Sequence, residues 1–342
     1  LVGVVLAGML YLAWPWVLPI MGQGLSETAR QASNELMFAF APTALFTILA
    51  GISAARLLAH EKHLNTLLES IPAFCILAAV LLAGPGVAVG PLLLGTLAGY
   101  LVQSAWLMRL SAQADGMSGL PQPGFRATPW RDLIPAAGIM LVGQVAMSFV
   151  GPIDQFMAAQ LGQNANATLG YATRLLALIL GLGALSVGRA ALPVLSDLQA
   201  RGQTERARKT AIQWSLAMLG LGTLAVVIGW LLAPWGVALV FERGAFTAHD
   251  TRTVAHVVRW GLLQLPFYFG VLVLVQLLAS QQRYRIMAAI ALANFALKAL
   301  TTALLAPVMG LPGIMLATGL MYALSYGCYV LAALHKTRPV SR

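Results

Sequence analysis

The stretch YATRLLALILGLGALSVGRAALPVLS (171–196) places Arg174 about seven residues inside a long apolar segment. At a rise of roughly 1.5 Å per residue, its guanidinium would lie about 10 Å below a membrane surface, too deep for the charge to reach water easily. A charged side chain at that depth faces a bundle interior or a water-filled cavity, which marks it as functional. The preceding apolar segment carries Asp154 at a similar depth, so Asp154 is the expected partner of Arg174.

Composition indicates a polytopic membrane protein. The chain of 342 residues is 59% hydrophobic and 9% charged, whereas soluble domains carry about 25% charged residues. Its net charge of +10 comes from basic residues scattered through short loops between apolar runs. That distribution serves membrane orientation and contact with anionic headgroups, so we expect membrane lipids, and not nucleic acid, as partners.

The residue pattern does not suggest soluble-enzyme chemistry. Cys75 and Cys328 lie inside apolar segments, which predicts neither a disulfide framework nor a cysteine metal site. The five histidines lie mostly in loops, at spacings that do not suggest a metal site. We therefore expect a protein that is not an enzyme, with no catalytic residues, no metal centre and no cofactor.

Ten apolar segments are long enough to span a membrane, at about 20 residues each. They cover roughly 1–20, 34–58, 66–84, 88–108, 132–158, 168–192, 212–240, 253–279, 284–306 and 311–334. The lysines and arginines in the loops between these segments divide unequally between the two sides of the membrane. One side receives Arg56, Lys62, Arg109, Arg126, Arg131, Arg189, Arg201, Arg206, Arg208, Lys209, Arg283, Arg285, Lys336, Arg338 and Arg342, and the other only Arg30, Arg243 and Arg252. The positive-inside rule then predicts that the chain starts and ends in the cytoplasm.

An internal repeat predicts two lobes. The motif around Trp14 and the three segments after it resemble the motif around Trp235 and segments eight to ten. When the two stretches are aligned, Pro42 corresponds to Pro266. Because the shift is six segments, the halves share their orientation, as is typical of transporters. Segments five and six have no counterpart in the first half, and we expect that two helices precede Leu1.

The predicted organisation is all-α, with four helices in the first lobe and six in the second. Residues 1–110 form an N-terminal lobe lacking its first two helices, 111–131 a cytoplasmic linker rich in glycine and proline, and 132–342 a C-terminal six-helix lobe. Within the second lobe, residues 194–211 are predicted to form a basic interfacial helix. We expect Thr247 or Asp250 to cap a helix after the loop that begins at Glu242.

Several polar side chains reach the same outer-half layer: Asp154, Arg174, Asn294, Lys298 and Thr318. With two cations and one anion, this layer suits a phosphate or pyrophosphate better than a cationic drug. We expect Asp154 and Lys298 to form a switchable charge pair. Alternatively, Asp154 and Arg174 only join two helices, or Lys298 is the permanent counter-ion of Asp154. Asn294 and Thr318 could equally make ordinary hydrogen bonds between helices.

Arg259 is a further candidate, about six residues inside segment eight. It is either an anchor at the membrane interface or a ligand for the substrate. We include it among the candidate substrate-binding residues, with Arg174, Asp154 and Lys298.

Three motifs recur in a recognisable order along the second lobe. They are Asp154-Gln155-x-Met157-Ala158, then Tyr171-Ala172-x-Arg174-Leu175 followed by Gly181, Gly188 and Leu192-Pro193-x-Leu195-Ser196, and then Phe241-Glu242-Arg243-Gly244-Ala245-Phe246-Thr247. These motifs resemble, in that order, the seventh helix, the eighth helix and the loop after the ninth helix of the MurJ/MviN-type lipid II flippases. The match would cover the family's third to twelfth helices.

This resemblance implies two lobes around a central cavity, in the multidrug/oligosaccharidyl-lipid/polysaccharide exporter superfamily. It implies alternating access that carries lipid II, the lipid-linked peptidoglycan precursor, from the inner to the outer leaflet of the bacterial cytoplasmic membrane. Arg174 matches the family's cavity arginine, expected to meet the pyrophosphate. Asp154, Asn294 and Thr318 match positions that form a sodium site in some members.

Two departures from the family pattern bear on mechanism. Lys298 stands where sodium-binding members have an acidic ligand, so its ammonium replaces the ion and sodium coupling is not expected. Ala177 stands where some members carry a glutamate one turn after the arginine. Two other functions stay open: export of another polyprenyl-linked glycan or drug-like molecule, and a non-transporting membrane scaffold.

Overall fold

The computed structural model describes residues 2–21, 26–60, 68–84, 89–116, 130–162 and 164–335. In these ranges it contains twelve α-helices, which account for all ten predicted segments because two segments are broken. The helices are α1 (Val2–Met21), α2 (Glu27–Ala59), α3 (Ile71–Ala83), α4 (Gly90–Asp115), α5 (Trp130–Ser148), α6 (Val150–Gln160), α7 (Ala165–Ala200), α8 (Thr204–Phe241), α9 (Ala248–Leu262), α10 (Leu265–Ser280), α11 (Tyr284–Met309) and α12 (Leu311–Leu334).

Length and apolar character support a multi-pass membrane protein. Among the described residues, six single helices can cross a membrane, namely α2, α4, α8, α11, α12 and the first 20 residues of α7. The pair α9 and α10 is bent by 43° and forms a seventh span if counted as one. Shorter apolar helices lie within α1 and in α3.

Prolines determine where two of the predicted segments break. Helix α5 ends at Ser148 and α9 ends at Leu262, each four residues before a proline, Pro152 and Pro266 respectively. A proline has no N–H for the carbonyl four residues earlier, and its ring clashes with that carbonyl. Segments five and eight, which we expected to be continuous, are therefore each two helices.

Helix α2 continues through its own proline, and another helix supplies a donor at that point. Pro42 leaves the Phe38 carbonyl without its usual N–H partner. The Tyr11 hydroxyl of α1 donates a hydrogen bond to that carbonyl at 3.3 Å. A proline in an apolar helix thus predicts an available carbonyl, which a neighbouring side chain can occupy.

The chain forms two compact units, residues 1–126 and 127–342. In the first unit α2 packs on α1 and α4, and α3 packs on α4. The α3–α4 contact is close because Gly99 faces Pro72: a Cβ at Gly99 would lie 2.6 Å from the Pro72 Cα. Arg56 and Asp115 join the ends of α2 and α4 through an ion pair with Nε and Oδ2 2.8 Å apart.

The second unit repeats these packing pairs and contains three additional helices, α5, α6 and α7. Helix α8 packs on α9 and α10, α10 packs on α12, and α11 packs on α12, which matches the order in the first unit. In addition, α5 and α6 pack on α11, while α7 packs on α9 and α10. The internal repeat predicted from the sequence therefore has a structural counterpart, within each unit.

Two predictions about connections have definite outcomes. No separate interfacial helix forms over 194–211, because α7 continues to Ala200 and α8 begins at Thr204 after a turn at 201–203. Thr247 does cap α9, in a capping box in which the Asp250 side chain accepts from the Thr247 backbone N–H at 2.8 Å. Most of the predicted linker, 117–129, lies outside the described residues.

Candidate functional site

A buried polar stripe runs along α11. Asn294, Lys298 and Thr302 are spaced four residues apart, so they share one face of the helix. Asn294 is 6% exposed, and Lys298 and Thr302 are fully buried. Helix α11 turns this face towards α6 and α12, which supply the polar partners.

The Lys298 ammonium lies between two helices and binds an oxygen of each. Its Nζ is 2.7 Å from Asp154 Oδ1 on α6 and donates to the Ile314 carbonyl on α12 at 2.9 Å. The Thr318 hydroxyl donates to the same carbonyl at 3.2 Å. A fully buried ammonium is costly unless paired and hydrogen-bonded, and Asp154 and Ile314 meet that need.

The stripe extends beyond the ion pair on both sides. Asn294 donates through Nδ2 to the Ser325 hydroxyl on α12 at 3.0 Å. Its Oδ1 atom is buried and has no hydrogen-bond partner among the described residues, and the same holds for the Thr302 hydroxyl. An unpaired amide oxygen and an unpaired hydroxyl thus flank Lys298, one turn away in each direction.

Arg174 does not pair with Asp154, which corrects the expected pairing. The Asp154 carboxylate faces Lys298, and within the described chain Arg174 has no hydrogen bond or ion pair. Arg174 is exposed, whereas Ala172 and Leu176 are buried in the core of the second unit. At about 100° per residue, Arg174 lies on the side of α7 opposite that buried face. It is nine residues into α7, or about 14 Å along the helix axis.

Arg259 also lies outside the polar layer. Its Nε donates to the Trp230 carbonyl on α8 at 2.9 Å, and its guanidinium lies 6.0 Å from the Trp230 ring centroid. Pro234, four residues after Trp230, frees that carbonyl. These contacts are those of a link between α8 and α9, and substrate binding by Arg259 stays a prediction.

The structure thus brings together four of the six candidate residues. Asp154, Lys298 and Thr318 share one cluster of contacts, and Asn294 lies one turn away on the same buried face. Three participants were not predicted from the sequence: Ser325, Thr302 and the Ile314 carbonyl. The four-residue spacing from Lys298 could have indicated Thr302, but a backbone carbonyl has no sequence signal of this kind.

Charged side chains inside apolar spans, within two repeated helical units, define a multi-pass α-helical membrane protein of a transporter-like fold. The family model described as lipid II flippase MurJ matches residues 1–338. The chain belongs to this family. A relative, the probable lipid II flippase MurJ of Bdellovibrio bacteriovorus, is 28% identical over 249 residues, which are 72% of this chain and 46% of the relative.

Two solved structures share the fold. A lipid II flippase MurJ in an inward closed conformation has a TM-score of 0.76 at 19% identity, over 97% of this chain and 69% of its own. A mutant of the Vibrio cholerae MATE transporter VcmN has a TM-score of 0.66 at 15% identity, over 97% of this chain and 75% of its own. The chain spans about half the length of the curated relative it matches.

Proposed function

We propose that the chain is a flippase that moves lipid-linked peptidoglycan precursor, lipid II, from the inner to the outer leaflet by alternating access. Membership of the family supports this proposal. The observation that carries it is Arg174, whose side chain is exposed on the face of α7 opposite the core, deep along a membrane-spanning helix. An arginine so deep in a membrane is favourable only beside water, backbone or an anion, and a pyrophosphate supplies two phosphate groups for its planar donors.

The buried pair has a different role in this proposal. Asp154 and Lys298 join α6 to α11, and we infer that this ion pair opens and closes as the helices move between access states. Asn294 and Thr318 would provide alternative hydrogen-bonding groups when the pair opens. This mechanism needs no covalent chemistry.

We also propose that transport does not use sodium. A sodium site built from Asp154, Asn294 and Thr318 would need its centre near the Asp154 carboxylate. The Lys298 ammonium is 2.7 Å from that carboxylate, so a metal ion there would lie against a like charge. These residues do not fit sodium. The Lys298 ammonium, a cation covalently attached to the chain, takes the place of a bound metal ion.

The proposed location is the bacterial cytoplasmic membrane, with both ends of the chain in the cytoplasm. Supporting this orientation, Arg201, Arg206, Arg208 and Arg283 lie at the same end of the second unit, where α12 also ends. A reporter that works only in the cytoplasm should be active when it is fused after the last residue. A reporter that works only outside the cytoplasm should be inactive at the same position.

Growth complementation tests the proposed activity. The chain is expressed in cells depleted of their own flippase, beside Arg174→Ala and the control Arg201→Ala, which removes an exposed arginine paired with Asp197. We expect growth with the unchanged chain and the control, and none with Arg174→Ala at equal membrane abundance. Failure of the unchanged chain, or growth with Arg174→Ala, would contradict the proposal.

A further inference from the structure

The basic end of the second unit contains a cavity that the flippase proposal does not use. It has a volume of about 260 Å³ and lies where α8 begins, α10 turns into α11 and α12 ends. One water molecule occupies about 30 Å³ of liquid, so the cavity has room for a phosphate group with part of its substituent. Its lining includes Arg208, Arg283 and His335, from three separate elements.

We propose that this cavity, the basic pocket, binds a phosphate group, and specifically the phosphate of an anionic glycerophospholipid at the membrane surface. Basic pockets between membrane helices are suited to such headgroups. The inference rests on the second unit alone and is independent of the flippase proposal.

Helix capping explains only part of the arginine arrangement. Arg283 donates through Nη1 to the Ala332 carbonyl at 2.6 Å, and Arg208 donates through Nη1 to the Leu334 carbonyl at 3.3 Å. Both bonds satisfy carbonyls in the last turn of α12, which helix geometry leaves free. A guanidinium has five N–H groups, so most of the donors on each arginine remain for another acceptor.

Arg208 has a specific unmet requirement. Its Nε atom is buried and has no hydrogen-bond partner among the described residues. A buried charged donor without an acceptor is unfavourable, and a phosphate oxygen would satisfy it. Burial also lowers the pKa of the Arg283 guanidinium, because that charge is partly desolvated. An anion in the basic pocket would compensate both groups.

Two acceptors at the basic pocket affect ligand binding: the Glu205 carboxylate competes with the ligand, and the Gln281 side-chain oxygen needs a donor from it. Glu205 Oε1 lies 2.6 Å from Arg208 Nη2, so this carboxylate neutralises part of the pocket. The Glu205 side chain is 58% exposed, and it can rotate into water when a phosphate takes its place. The Gln281 side-chain oxygen is buried without a partner in the described structure, and a headgroup hydroxyl would satisfy it. A phosphatidylglycerol-type headgroup has both the phosphate and the hydroxyls.

The test counts bound lipid on the full purified chain by native mass spectrometry during titration with phosphatidylglycerol. Arg208→Gln and Arg283→Gln should each weaken binding of the tightest lipid about tenfold, the usual effect of losing a charged hydrogen bond. Arg201→Gln removes an arginine at the same end that is 66% exposed and lies outside the pocket. It should leave the affinity unchanged.

A second variant avoids loss of the helix caps. Glu205→Gln keeps both arginines and removes only the competing carboxylate, so phosphatidylglycerol should bind about threefold more tightly. The control Asp197→Asn removes a matched carboxylate, paired with Arg201 outside the pocket, and should change nothing. Equal effects of Glu205→Gln and Asp197→Asn would show a general surface-charge effect and overturn the proposal.

Inorganic phosphate separates the two sources of a phosphate group. If phosphate alone stabilises the chain in neutral detergent against heat, and Arg208→Gln abolishes this, the pocket takes a soluble phosphate. That result would support the phosphate chemistry and overturn the lipid assignment. Stabilisation by phosphatidylglycerol alone supports the full proposal. If neither ligand stabilises the unchanged chain more than Arg208→Gln, the proposal is wrong.

Discussion

Lys298 Nζ lies 2.7 Å from the Asp154 carboxylate, and this pair joins a short helix that begins after a break, α6, to α11 in the second unit. The ammonium also binds the Ile314 carbonyl of α12. One fully buried side chain therefore connects three helices. Among the described residues, Asp154 is the only carboxylate within 4 Å of this ammonium, so the pair is its ionic compensation.

The first prediction concerns stability. Asp154→Asn removes the counter-ion and leaves an unpaired buried ammonium, so the free energy of unfolding should fall by about 3–5 kcal/mol. The double variant Asp154→Asn, Lys298→Met should lose less free energy of unfolding than Asp154→Asn alone, because no uncompensated charge remains. Thermal unfolding of the purified variants measures both. As a control, Asp197→Asn in the exposed pair with Arg201 should cost about 0–1 kcal/mol. A double variant no more stable than Asp154→Asn would argue against this account.

The second prediction concerns sodium. At constant ionic strength, replacing potassium by sodium should leave the melting temperature of the unchanged chain where it is. Lys298→Asp places a second carboxylate beside Asp154 and removes the ammonium, so this variant should be less stable in potassium and regain stability in sodium through ion binding. Thermal unfolding in matched buffers provides the comparison. A sodium-dependent rise in the unchanged chain would refute the attached-cation proposal.

The third prediction concerns Arg259 and the carbonyl that Pro234 frees. Arg259→Met should lower the free energy of unfolding by about 1–3 kcal/mol, because the Trp230 carbonyl loses its donor. In a Pro234→Ala background, the alanine N–H can bond to that carbonyl within α8. The cost of Arg259→Met should therefore be smaller there. Equal costs in both backgrounds would show that the arginine does not act through this carbonyl.

The fourth prediction uses two glycines on α8. A Cβ at Gly222 would lie 2.6 Å from the Pro266 Cα, whereas a Cβ at Gly220 would meet nothing within 4 Å. Gly222→Ala should therefore destabilise the contact between α8 and α10 by about 1–3 kcal/mol. Gly220→Ala should be neutral or stabilising by up to about 1 kcal/mol, since alanine favours helix. Similar melting temperatures for the two variants would contradict this packing.

Local pattern predicted the helices well and their interruptions poorly. Apolar runs located all ten segments, because a membrane span requires a long apolar helix. Pro152 and Pro266 were visible, yet a proline can break a helix or be tolerated. At Pro42 and Pro234 the helix continues where Tyr11 or Arg259 supplies the missing donor. The presence of such a donor depends on a neighbouring helix, which sequence periodicity does not reveal.

The composition of the candidate site was predicted, but the sequence left two partners open for Asp154, namely Arg174 and Lys298. Depth along a predicted span selected Asp154, Lys298 and Arg174, and the structure brings Asp154 and Lys298 together. Depth does not specify direction around the helix axis, and Arg174 was therefore matched with the wrong partner. Buried Ala172 and Leu176 define the core face of α7, and Arg174 lies opposite them. Choosing between partners required the packing of α6 on α11, which no local signal encodes.

Arg174 is proposed to bind the pyrophosphate of a polyprenyl-linked saccharide. The most direct test measures equilibrium binding of lipid II to the purified chain, beside Arg174→Gln and Arg201→Gln. Another polyprenyl pyrophosphate-linked glycan serves as competitor, to identify the glycan. We expect Arg174→Gln to weaken lipid II binding about tenfold to a hundredfold, as loss of charged hydrogen bonds predicts, and Arg201→Gln to leave it unchanged. Equal affinity of the unchanged chain and Arg174→Gln would contradict the account.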